Sequence, residues 1–144
     1  MRQFENIAVG YDGSSDATTA VAWALRAAHE TGATVTIVHA SGLLEHLRSR
    51  FSPDELPAAL QLLAKQCSFD ERRIRWLVSD GDACSVLLRM ASAPIDATML
   101  VVGSRGEGKR EGLLLGSTSL EVAEHATVPV VVVPASYVEH AAVI

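Results

Sequence analysis

The sequence predicts a single α/β domain built on an open parallel sheet with helices on both faces, and three observations carry that expectation. Apolar, β-branched runs of strand length alternate with stretches of helical period along the chain. The run Ala97-Thr98-Met99-Leu100-Val101-Val102 is apolar almost without a break, the pattern of a strand covered on both faces. The 144 residues, 49% of them hydrophobic and 20% charged, fill one sizeable core rather than two. The expected core runs from about residue 6 to residue 134, with a short tail over 135–144.

Asn6-Ile7-Ala8-Val9-Gly10 reads as the first strand. Ser14 or Ser15 then caps a helix with Ala17, Val21, Ala24, Leu25 and Ala28 on one face, ended by Gly32. Thr34 to His39, rich in β-branched residues, is the second strand. Residues 42–50 show no clear period. Ser52-Pro53-Asp54 suggests a helix start, with Pro57, Leu60, Leu63, Ala64 and Cys67 in register. Ile74 to Val78 is the third strand, and Asp82 caps a helix holding Val86, Leu87, Met90 and Ala91, closed by Pro94. The fourth strand leads into a glycine-rich loop. Ser117 to Ala126 is a helix with Ser117 at its N-cap and Leu120, Ala123 and Ala126 at helical spacing, and Val130 to Val133 is the fifth strand.

The loop carries the chemistry. Glycines begin where a buried strand ends and stop where a helix begins, so loop amides, first-turn amides and the positive end of the helix dipole all favour an anion. Gly103, Gly108 and Lys109 fit the start of a P-loop, but Arg110 replaces the Ser or Thr that would hold magnesium. The dinucleotide fingerprint fails at Glu111, and Ser104, with Val102 two residues before it, is no nucleophile elbow. What is met is Gly, two residues, Gly, nine residues, Gly, then Ser or Thr, by Gly103, Gly106, Gly116 and Ser117.

On that pattern the chain resembles the universal stress protein family, in the subgroup that binds ATP. Val9-Gly10-Tyr11-Asp12-Gly13-Ser14 resembles the family's first strand and turn, and Ile37-Val38-His39-Ala40 the end of its second strand. Gly81-Asp82-Ala83 resembles the turn before its third helix, and Val128 to Pro134 its last strand. The resemblance implies a Rossmann-like fold of the adenine nucleotide alpha hydrolase kind with strand order 3-2-1-4-5. In that order the connections of strands 1 and 4 leave in opposite directions and open a crevice at their carboxyl ends, where Asp12 and Gly103 meet.

The resemblance implies that Ala40 reads the adenine edge through its backbone and that Asp12 contacts ribose or adenine. From the residues alone, Asp12 reads equally as an Asx-turn or helix cap. Gly10 and Gly13 would let the backbone approach a ligand. Val102, Gly103, Ser104, Arg105, Gly106, Gly108, Lys109, Gly116, Ser117 and Thr118 form the expected phosphate cradle, with Ser117 and Thr118 equally able to cap their helix. Arg105, Lys109 and Arg110 form a local positive cluster, diluted by Glu107 and Glu111. His39 reads as a strand-end histidine rather than a catalytic base, since no Ser or Cys nucleophile is identifiable near it. Magnesium or manganese is expected only with the ligand, held by Asp12 and the phosphates.

A formal net charge of −5 argues against general binding to nucleic acid or anionic membrane. Cys67 and Cys84 form neither a disulfide framework nor a metal site, which fits a reducing cytoplasm, and no run reaches membrane-spanning length. The expected function is that of an ATP-binding, stress-response switch or sensor. Slow ATP hydrolysis, nucleotidyl transfer, and a module for AMP or cyclic AMP are the alternatives. A homodimer through Val130 to Val133 is expected, because that apolar strand is an exposed edge in this order.

Overall fold

The computed structural model describes residues 5–42, 51–104 and 116–138. Five strands, β1 (Asn6–Gly10), β2 (Thr34–Ser41), β3 (Ile74–Asp80), β4 (Met99–Gly103) and β5 (Val130–Val133), alternate with four helices, α1 (Ser15–Thr31), α2 (Ala58–Gln66), α3 (Ala83–Arg89) and α4 (Ser117–His125). All strand pairs are parallel and the sheet order is β3-β2-β1-β4-β5, as expected. Period-two alternation splits the strand side chains between two cores. Ile7, Val9, Ile37 and Val101 pack with Leu25 of α1 and Leu60 of α2. Ala8, Val38, Leu100 and Val102 pack with Val86 and Leu87 of α3 and Val122 of α4. Burial on both faces is why these strands read as continuous apolar runs. Among the described residues no helix is long and apolar enough to cross a membrane.

Most element ends follow local chemistry visible in the sequence. The Ser14 side chain accepts the Ala17 amide to cap α1, and Gly32 ends that helix in the left-handed conformation, φ 79°. Asp82 caps α3 by accepting the Ser85 amide. Backbone and hydroxyl hydrogen bonds from Ser85 hold the Asp82 carboxyl below the usual carboxylate range.

Four expectations are corrected. The second helix begins at Ala58, not near Ser52: the Ser52 hydroxyl accepts the Asp54 amide and its carbonyl accepts the Trp76 indole N–H, so neither group starts a helical ladder. Pro57 supplies the first helical carbonyl instead, accepting from Leu60 and Gln61. The third helix ends at Arg89, leaving Met90 at its C-cap and Ala91 in the turns beyond it. Gly116, not Ser117, is the N-cap of α4. Finally, α4 buries Ser119 and Val122 rather than Leu120 and Ala123; Leu120 is 45% exposed. Burial of Ser119 is tolerated because its hydroxyl is bonded, 2.9 Å from the Gly116 carbonyl and 3.3 Å from that of Ser104.

One glycine is required by packing. A Cβ on Gly103 would lie 2.9 Å from the Asp16 backbone carbonyl oxygen, so α1 crosses β4 at a distance that only glycine permits. Gly103→Ala is expected to lower unfolding free energy by about 1–3 kcal/mol, the range for overpacking, in urea denaturation; unchanged stability would show that this crossing is not tight. The register of α2 is tested by a pair: Leu60→Ala, at a fully buried site, is expected to cost about 2–5 kcal/mol. Leu62→Ala, 57% exposed, should stay within about 0.5 kcal/mol of the parent.

Candidate nucleotide-binding crevice

Five chain segments meet at the carboxyl end of the sheet, where β1 and β4 diverge: the turn after β1, the end of β2, the first turns of α3, the end of β4 and the N-terminus of α4. They enclose a cavity of about 210 Å³. Its apolar wall is Val38, Ala83, Val86, Leu87 and Val102, drawn from β2, β4 and α3. Its polar side is Asp12 and His39 with Ser104, Ser117, Thr118 and Ser119.

The turn after β1 is fixed by local bonds. Asp12 Oδ1 accepts the Ser14 amide at 2.9 Å, an Asx-turn in which Gly13 has φ 86°. The local reading of Asp12 therefore holds, and the same residue lines the cavity. Gly13 is exposed and stands outside the lining.

The end of β2 sets the direction in which the Ala40 backbone faces. Residues of a strand direct their backbone N–H and C=O alternately to the two neighbours. The Val38 carbonyl accepts from Tyr11 on the β1 side, and the Ser41 carbonyl accepts from Gly81 on the β3 side. Ala40 shares the parity of Val38, so its amide and carbonyl face the β1 side. There the register with β1 has already ended, at Gly10↔Val38. These two groups thus border the crevice, which Ala40 lines.

The loop after β4 is anchored where it leaves and where it returns. The buried Ser104 donates its amide to the Val133 carbonyl at 2.9 Å, and its own carbonyl accepts the Gly116 amide at 2.6 Å. Gly116 at the N-cap makes no side-chain cap bond. Ser117 and Thr118, relieved of the capping role that the sequence suggested for Ser117, sit in the first turn of α4 on the cavity wall.

Of the residues expected at the site, the structure gathers Gly10, Asp12, Ala40, Val102, Gly103, Ser104, Gly116, Ser117 and Thr118 around one cavity. Arg105, Gly106, Gly108 and Lys109, with Arg110 and the acidic pair Glu107 and Glu111, lie outside the described residues. Among the described residues, no lysine or arginine lines the wall. Sequence reasoning missed Tyr11, Ala17, Ala83 and Ser119 as lining, named Val38 only in its strand and Val86 and Leu87 only in their helix, and read His39, which also lines the cavity, only as a strand-end residue. Strand order held the signal for α3: the crossover from β3 to β4 must pass over β2 and β1.

Near the crevice, Cys84 on α3 is held as a thiol. Burial pushes its pKa up, and the negative charges of Glu121 and Asp82 add to the shift. Among the described residues no group of three or more His, Cys, Asp or Glu stands together as a metal cage.

A model of the universal stress protein family matches residues 3–134. A universal stress protein of Mycobacterium tuberculosis is 34% identical over 138 residues, covering 90% of this chain and 45% of the relative. This chain thus spans about half the length of that relative. A universal stress protein of Thermus aquaticus is 32% identical over 137 residues, covering 90% of this chain and 98% of the relative. Among solved structures, a universal stress protein in complex with cAMP superposes with a TM-score of 0.60 at 25% identity, covering 92% of this chain and 98% of that one. The chain belongs to the universal stress protein family.

Proposed function

We propose that this chain binds an adenine nucleotide, ATP in the first instance, in the crevice and acts as a nucleotide-dependent switch in a stress response. The observation that carries the proposal is the pairing of an apolar slot with the Ala40 backbone at its edge. In this reading a flat heterocycle lies against Val38, Val102 and the α3 side chains that line the cavity, and the backbone amide and carbonyl beside it pair with the donor and acceptor of the adenine edge. Asp12, on the cavity wall, then accepts from ribose hydroxyls. Phosphates would extend toward Gly103, Ser104 and the first turn of α4, with Arg105, Gly106, Gly108 and Lys109 as the remaining cradle on the sequence pattern. The complex of the similar protein with cAMP supports an adenine ligand for this architecture.

A divalent cation fits only as part of the nucleotide complex. Asp12 is the carboxylate on the described wall, and phosphate oxygens would complete the coordination of Mg2+ or Mn2+. The ion would neutralise phosphate charge. Ligand contacts at Gly103 and Gly116 would bracket residues 105–115 and set what surface that segment offers a partner, which is the basis proposed for a switch. A reading as a module for AMP or cyclic AMP is favoured by one observation, that the similar protein was solved in complex with cAMP.

Protein purified without added nucleotide and then denatured is expected to release ATP detectable by mass spectrometry. In calorimetric titration, Gly106→Val should weaken ATP by about tenfold or more and cyclic AMP much less. Equal loss of both, or of neither, would count against ATP as the ligand that uses the loop. A homodimer through the β5 edge is part of the same proposal, since Val130, Val131 and Val132 are half-buried on a strand with one unpaired side. Val131→Lys should shift the mass seen by light scattering from dimer to monomer, and an unchanged dimer would place the interface elsewhere.

A further inference from the structure

We infer that His39 is a positioning residue for the crevice: its imidazole replaces the Ala40 amide in the β1–β2 ladder, which leaves the Ala40 backbone to a ligand and fixes the peptide leading into Asp12. The inference rests on the proposed reading of the crevice as an adenine-nucleotide site. With Gly10 paired to Val38, a parallel ladder brings the Tyr11 amide onto the Val38 carbonyl, as seen at 2.9 Å. The next rung of that ladder would bring the Ala40 amide onto the Tyr11 carbonyl. In this chain His39 Nδ1 stands 2.8 Å from that carbonyl oxygen. A carbonyl only accepts, so Nδ1 carries the proton and donates it.

The ring is held for this task. His39 is 4% exposed, and Phe51 packs edge-to-face on it with centroids 4.7 Å apart at 77°. Phe51 is fixed in turn against Tyr11 at 5.6 Å and Trp76 at 5.9 Å. Both polar backbone groups of Tyr11 are thus held from β2, the amide by a carbonyl and the carbonyl by an imidazole. The Tyr11 carbonyl carbon is bonded to the Asp12 nitrogen, so this contact also sets the peptide plane from which the Asp12 turn starts.

The nucleotide-free protein gives the first test, by hydrogen exchange at the Ala40 amide. The wild-type amide should exchange freely. In His39→Leu the vacated Tyr11 carbonyl should capture it and slow exchange by about tenfold or more. His39→Asn, whose amide nitrogen can occupy the place of Nδ1, should restore wild-type exchange. A protected Ala40 amide in the wild type, or unchanged exchange in the leucine variant, would overturn the inference.

The second test compares ATP with ITP, which reverses donor and acceptor at the edge that Ala40 would read. The preference for ATP should fall about tenfold in His39→Leu and return in His39→Asn, an effect that general loss of stability would not produce. A wild-type protein that binds neither nucleotide would defeat the proposed function, while the exchange experiment would still decide the role of His39. Where the leucine variant does not fold, long-range proton–nitrogen correlation on the wild-type ring decides: a protonated Nδ1 above neutral pH sustains the inference and a bare Nδ1 overturns it.

Discussion

The structure depends on one constraint: β1 is paired in parallel on both sides, to β2 and to β4, so no hairpin can connect it to either neighbour. Each connection must cross a face of the sheet and return, and the right-handed rule sends the crossovers beginning after β1 and after β4 to opposite faces. α1 and α2 therefore cover one face, α3 and α4 the other, and both faces of every central strand are buried. The same constraint creates the crevice. Where β1 ends at Gly10, the chain turns away toward α1, while β4 ends at Gly103 and departs the other way. Backbone groups that a longer ladder would have paired are left at that edge.

Those groups are managed by two related devices. At β2, the His39 side chain holds the Tyr11 carbonyl. At β4, the Ser104 carbonyl is held from beyond the loop by the Gly116 amide and approached by the Ser119 hydroxyl. In each case the ladder is closed by a group from another element, which keeps the strand end satisfied without a further paired strand. Gly103 lets α1 pass directly over β4, so the floor of the crevice is set by backbone packing rather than by a side chain.

The fold was legible because its signals are local and redundant: Ser14 and Asp82 cap their helices as read, Gly32 stops α1, and the apolar strands carry the mark of two-sided burial. The errors arose where tertiary partners override local pattern. Ser52 has the look of a cap, but Trp76, distant in sequence, takes its carbonyl. Leu120 has the look of a core residue, but Ser119 is the side chain whose hydroxyl finds carbonyls beneath α4. At the crevice, Asp12, Gly103 and Gly116 could be named because turn chemistry and glycine spacing mark them. Val86 and Leu87 could not, because an apolar residue on a helix looks the same whether it packs on a strand or on a ligand. His39 was recognised as a strand-end residue, but its bond to Tyr11 follows from pairing register, which no local pattern displays.

The composition of the described wall bears on what kind of protein this is. A site for group transfer needs an activated nucleophile or a base aimed at a reacting atom. Here Asp12 accepts the Ser14 amide within its own turn, and the His39 imidazole stands 2.8 Å from the Tyr11 carbonyl oxygen. Backbone groups, hydroxyls and aliphatic surface make up most of the remaining lining, and such groups recognise shape and hydrogen-bonding pattern. Their positions are set by strand ends and by α4, elements tied into the sheet core. In the proposed reading, an arrangement of this kind retains a ligand and passes the effect of binding to the chain segments that the ligand touches.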